Sequence, residues 1–168
     1  TAYEIKECDW SSDVCSSDLH THYDGHITWE SRLQPSCQHG ITTVVTGNCG
    51  VGFAPCRPED HDDLIRMMAG VEDIPELVMA QGLPWNWESF ADYLNAVEAL
   101  PHDMDIAAHI PHSALRLFAM GRRALDDEPA TAADVALMER LTEEAMRAGA
   151  IGFATSRGIH RSEEHTSE

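Results

Sequence analysis

Short β-branched runs alternate with amphipathic helical stretches along the body of this chain. That order admits few architectures besides a parallel sheet built from βαβ units. Ile41-Thr42-Thr43-Val44-Val45-Thr46, closed by Gly47, reads as a strand. Asp105 to Ile110 and Ala150 to Thr155 read the same way, and a short extended run precedes His20. Between them, Gln34 to His39 reads as a short helix stopped by Gly40, and Glu59 to Ala69 as a helix with Leu64, Ile65 and Met68 on one face. Trp87, Phe90, Leu94 and Val97 recur at helical spacing and predict a helix over 87–100, ended by Pro101. A helix is expected from Ser113 to Met120. Another opens on a capping-box pair, Thr131 with Asp134, and runs to Gly149 with Val135, Met138, Leu141 and Ala145 on its inner face. Four strands are counted, whereas a complete (β/α)8 barrel takes about 250 residues. The expected class is therefore α/β, with the first half of a TIM-type barrel in 168 residues.

Both ends differ from this body. Ser11-Ser12-Asp13 recurs as Ser16-Ser17-Asp18, and the tail from Arg161 to Glu168 is similarly polar. Residues 1–19 and 161–168 resemble translated sequencing-adapter read-through and are set apart as non-native flanks, leaving 20–160 as the barrel segment. A genuine acidic linker is the other reading. Eight acids and two bases in the flanks contribute −6 of the net charge of −18, so the body is acidic too. An acidic chain lacks the basic face that nucleic acid requires, and it is repelled by anionic lipid. The apolar runs fall short of the roughly 20 residues that span a bilayer, and no secretory leader pattern opens the chain. Five cysteines in no framework spacing fit free thiols or metal ligands in a reducing compartment better than disulfides.

His20-Thr21-His22, leading into Tyr23-Asp24-Gly25, carries the chemistry. Residues i and i+2 of an extended segment share a face, so the two imidazoles form a candidate pair of zinc ligands. A pair of exposed loop histidines is the plainer alternative. One unit later, Gly47-Asn48-Cys49-Gly50 places a cysteine between glycines at the end of a strand, the catalytic face of an α/β barrel. Taken alone, Cys49 also admits the lesser reading of a small buried hydrophobe.

With these motifs in order, the chain resembles the N-acyl-D-amino-acid deacylases (D-aminoacylases) of the amidohydrolase superfamily. The resemblance runs from about His20 to His160, over HTHYDG, HGITTVVTGNCGVGFAP, GVEDIPELVMAQGLPWNWESFADYL, IPHSALR and AGAIGFATSR. It implies a metal-dependent barrel binding one or two zinc ions, with His20 and His22 as the first-strand pair and Cys49 as the second-strand ligand. Related amidohydrolases bridge two metals with a carbamylated lysine on the fourth strand. The only lysine here is Lys6, and the fourth strand ends Thr155-Ser156-Arg157. That favours the deacylase branch over a hydantoinase, dihydroorotase or dipeptidase-like enzyme. An inactive metal-binding half-barrel is a further alternative. The implied substrate is a small N-acyl amino acid, hydrolysed to a carboxylate and a free D-amino acid. The resemblance places the remaining ligands and the general-base aspartate on later strands, so no catalytic residue is assigned and this stretch alone is expected to be inactive.

Other residues are weighed and set aside. His109 and His112 flank Pro111 on the presumed catalytic face, where backbone-bonded histidines are the simpler reading. Trp85 and Trp87 are read as packing at a helix start, and Arg157 either as a substrate-carboxylate partner or as a structural ion pair. Cys37 and Cys56 have no partner at C-x-x-C spacing, and His160 is left unassigned. Glu59, Asp60, Asp62 and Asp63 are read as a solvated helix start.

Overall fold

The computed structural model describes residues 17–71 and 74–155. Its strands are β1 (Ser17–Asp18), β2 (Thr43–Thr46), β3 (Asp105–Pro111) and β4 (Gly152–Ala154), in one parallel sheet of order β1-β2-β3-β4. Val44 pairs with Ile106 and Thr46 with Ala108, and β3 then runs on so that His109 to Pro111 pair with Gly152 to Ala154. β1 is formed by two residues of the segment set apart at 1–19, pairing Ser17 with Thr43 and Asp18 with Val44. Backbone pairing needs no particular side chain, which is why a polar dipeptide can serve there.

The crossovers are unequal. From β1 to β2 the chain makes only 3-10 turns, His26–Thr28 and Ser36–His39, so the helix expected over 34–39 is a tight turn ended by Gly40 in the left-handed region (φ +83°). From β2 to β3 it forms α1 (His61–Ala69), α2 (Glu76–Gly82) and α3 (Phe90–Ala99). From β3 to β4 it forms α4 (His112–Met120) and α5 (Ala132–Ala148). Leu64, Ile65 and Met68 of α1 are buried as their spacing implies.

Four further details depart from the sequence reading. α2 was not expected, because Leu77 and Val78 are exposed and only Met79 is buried, leaving no apolar stripe to detect. α3 begins three residues after Trp87, since Ser89 forms a capping box with Asp92; Trp87 lies before the helix and is buried there, its Nε1 donating to the Phe53 carbonyl at 2.8 Å. Val135 does not face the core but is 42% exposed, while Ala145 further along α5 is buried. Asp60 is not solvated: it is buried, and desolvation, reinforced by Glu59, raises its carboxyl pKa.

The core lies between the sheet and its helices, where Val44, Ile110, Leu64, Met68, Leu115 and Leu117 are almost fully buried. No helix among the described residues is long and apolar enough to cross a membrane.

Candidate metal centre

All four strands end on one side of the molecule, and the histidine pair emerges there. His20 and His22 sit just past the two residues of β1, in extended chain. Thr21 fixes them: it is buried, and both its backbone N–H and its Oγ1 donate to the Val45 carbonyl, at 3.0 and 2.9 Å. With Thr21 turned onto β2, its two neighbours share the opposite face. The Asn48 amide donates to the Leu19 carbonyl, and the His20 N–H donates to Asp18 Oδ1 at 3.3 Å. The second motif is thus tied to the first.

Cys49 is presented by a turn that only glycine can make. Gly47 and Gly50 both have positive φ, +79° and +77°. A Cβ on Gly47 would also stand 2.4 Å from the His109 carbonyl oxygen, so β2 and β3 meet too closely there for any side chain. The Gly50 carbonyl accepts from the Ser113 N–H at 2.9 Å, fastening the loop to the start of α4. The Cys49 thiol donates to the Val51 carbonyl at 3.6 Å.

One nitrogen of each histidine and the Cys49 sulfur all lie within 4.8 Å of one another. The Nε2 atoms of His20 and His22 are 3.3 Å apart, with ring centroids at 5.3 Å. Two nitrogens bound at 2.0–2.1 Å to a tetrahedral zinc stand roughly 3.3 Å apart, so the spacing fits that ion. Burial, and then the neighbouring His20, hold the His22 pKa below its ordinary value, favouring the neutral ring that a metal needs. Two imidazoles and one thiol form a borderline-soft donor set, suited to zinc and poorly suited to calcium or magnesium.

Around this cluster Asp24 is buried, and its backbone carbonyl accepts from the Tyr93 hydroxyl at 2.8 Å. Burial, with the Asp24 charge nearby, drives the Tyr93 pKa well up, so the phenol stays a donor. Sequence reasoning quoted Asp24 within a motif but gave it no role. An apolar pocket of about 270 Å³ borders His22, whereas a larger cavity of about 500 Å³ lies against Asp105 and α3 and is lined by none of the three candidate ligands.

The other weighed residues lie apart from the cluster. His112 Nδ1 is 3.1 Å from the Thr155 hydroxyl, with its ring edge-on to Phe153. The Nδ1 of His109 is buried without a hydrogen-bond partner, close against Gly152. Trp85 stacks on His61 at 3.9 Å and meets Phe53 edge-on. Burial, with the carboxylates of Asp60, Glu59 and Glu88 nearby, pushes the Cys56 thiol up to about 12, which leaves it inert. Arg157 and His160 lie outside the described residues.

Residues 17–166 match the Amidohydrolase family. The chain is 36% identical over 140 residues to the D-aminoacylase of Alcaligenes xylosoxydans xylosoxydans, a match covering 82% of this chain and 26% of that protein. A crystal structure of D-aminoacylase superposes with a TM-score of 0.66 at 32% identity, covering 83% of this chain and 27% of the other. The N-acyl-D-glutamate deacylase of Bordetella bronchiseptica, solved with zinc and a phosphonate mimic of the tetrahedral intermediate, superposes at 0.58 with 30% identity, covering 83% and 26%. The chain thus spans about a quarter of the length of these relatives.

Proposed function

Because the chain belongs to the amidohydrolase family, we propose that it carries part of the metal cradle of a zinc-dependent hydrolase of N-acyl-D-amino acids, with His20, His22 and Cys49 as ligands. The observation that carries this is the convergence of those three side chains, from two motifs in successive strand-end loops, within 4.8 Å. The D-aminoacylase and N-acyl-D-glutamate deacylase likenesses support the substrate class and the choice of zinc.

When bound, zinc supplies a water acidic enough to ionise near neutral pH and an electrophile for the amide carbonyl. The chain's own residues hold that centre in place. Thr21 and Asn48 lock the two motifs to each other, so the donor atoms are preorganised rather than gathered on binding. The half-buried His22 limits water on one side of the cluster. The proton shuttle is assigned to an aspartate on a later strand, as the resemblance implies, and one or two ions are accommodated in the complete site. The barrel segment is assigned to residues 20–160 and the flanks to 1–19 and 161–168, the first flank touching the sheet where Ser17 and Asp18 pair with β2. Cys37 and Cys56 are thiols outside any disulfide among the described residues, which supports a reducing, cytoplasmic setting. A small N-acyl amino acid is the partner, and the acidic charge argues against nucleic acid and anionic membrane.

Zinc content measured by elemental analysis tests the assignment. The chain is expected to hold zinc, and Cys49→Ser and His22→Ala are each expected to lower its occupancy at least tenfold at micromolar metal, about the loss that follows damage to a ligand or its support. Zinc retained unchanged in both variants would overturn the ligand set.

A further inference from the structure

The pocket beside His22 is built for an apolar occupant. Trp29 and Phe53 come from the loops after β1 and β2, Met68 from α1, and Val78 and Met79 from α2. Two thioethers among the lining give a wall that adapts to varied shapes. The volume of about 270 Å³ exceeds the roughly 150 Å³ apolar cavity that already admits a benzene ring. The aromatic wall is also clamped in position. A Cβ on Gly25 would stand 3.0 Å from Phe53 and 3.1 Å from Trp29, and one on Gly82 would stand 3.1 Å from Trp29.

Charge decides which half of an N-acyl amino acid enters. Among the described residues, no lysine or arginine lines the pocket. Burial holds the pKa of His26, the other imidazole in the lining, below its ordinary value, against the opposing pull of Glu30. The amino-acid half carries a carboxylate, which would lose its hydration there without a cation to replace it. The acyl half carries no charge and begins at the reacting carbonyl carbon. Since His22 belongs both to the pocket and to the metal cluster, a carbonyl held at the cluster has its acyl substituent at the pocket mouth.

We propose that this pocket is the acyl subsite, and that it selects apolar acyl chains of about six carbons, or an arylacetyl group, over acetyl. The proposal rests on the deacylase reading above, because it takes the substrate to be an N-acyl amino acid oriented by the metal cluster.

The test uses the 168-residue chain labelled with methyl-13C methionine and titrated with neutral primary amides, both metal-free and zinc-loaded. Hexanamide is expected to shift the Met68 and Met79 methyl signals while leaving Met104 and Met120, which lie outside the pocket, in place. Affinity is expected to rise about three- to fourfold per methylene from acetamide to hexanamide, the increment for burying one methylene. Val78 is half exposed, so Val78→Trp fills the pocket from its rim without touching the core; it is expected to weaken hexanamide at least tenfold with zinc content unchanged. Unmoved Met68 and Met79 signals, or equal affinity for acetamide and hexanamide, would overturn the acyl subsite. Loss of zinc binding by the wild-type chain would instead strike the metal-centre reading, since the metal-free titration reports on the pocket alone. Unchanged Met104 and Met120 signals in Val78→Trp certify that the variant is folded.

Discussion

At Gly47 the backbone itself limits what the site can be made from. Its φ of +79° costs a side-chain-bearing residue about 1–2 kcal/mol, and the 2.4 Å approach to the His109 carbonyl adds a clash that only strand separation relieves. Gly47→Ala is therefore expected to destabilise the chain by at least about 2 kcal/mol in urea unfolding and to lower zinc occupancy, because Cys49 moves with the turn. Gly40 provides the control: its φ is +83°, yet no atom lies within 4 Å of where its Cβ would stand. Gly40→Ala should lose only the conformational term, about 1–2 kcal/mol, with zinc content unchanged; equal zinc loss in both variants would refute the role given to the turn. The same residues show how far the site was legible. His20, His22 and Cys49 could be read because ligand chemistry is written in residue types at short spacing. Asp24 and Tyr93 could not, since their hydrogen bond joins positions far apart in the chain and nothing local marks either one.

Among the helices, what could be read in advance was the capping chemistry. The Thr131 hydroxyl accepts from the Asp134 N–H, and the Asp134 carboxylate accepts in turn from the Thr131 N–H at 2.8 Å, as the sequence pattern requires. Thr131→Ala should lower stability by about 1 kcal/mol, read from the urea midpoint. Asp134 adds a pH dependence. Arg123, 2.7 Å away, and then Thr131 hold its carboxyl at about 2, below the ordinary carboxylate value. A group with its pKa depressed on folding contributes fully above its unfolded value of roughly 4, and the contribution is lost as pH falls through the folded value. The stability gap between wild type and Asp134→Asn should thus be open at neutral pH and close between roughly pH 4 and pH 2. A gap that stays constant across that range would mean that the Arg123 contact contributes nothing through charge. Apolar periodicity was the less reliable guide. It extended α3 back to Trp87, because a buried tryptophan in a preceding loop falls on the same spacing as a helix face. It passed over α2, where Met79 is the single residue that joins the core. It also turned Val135 inward, although in the first turn of α5 the buried residue is Asp134.

For the molecule as a whole, the parallel sheet followed from the alternation of strands and helices, but how its edges behave depends on charge. Among the described residues β1 and β4 each border the sheet with one side unpaired. Beside β4 the chain exposes Ile151 at 51% and Phe153 at 46%, an apolar edge with free backbone donors and acceptors. Such an edge is a template for pairing with another chain, and parallel sheets are ordinarily covered on both faces. Opposing this is a net charge of −18, which drives copies apart as long as their fields reach one another. The two effects differ in range. The Debye length falls from about 30 Å at 0.01 M salt to roughly 3 Å at 1 M, whereas burial of apolar surface does not weaken with screening. The chain is therefore expected to self-associate increasingly as salt rises, with the scattering mass growing between roughly 0.01 and 0.5 M sodium chloride. Phe153→Lys should reverse that growth, since it removes apolar area and places a charge on the edge, a device natural edge strands use. A monomer at every salt concentration would show that the edges are already protected. Association that falls as salt rises would place the contact between opposite charges instead. Only growth with salt that Phe153→Lys abolishes identifies β4 as the surface through which copies of the chain associate.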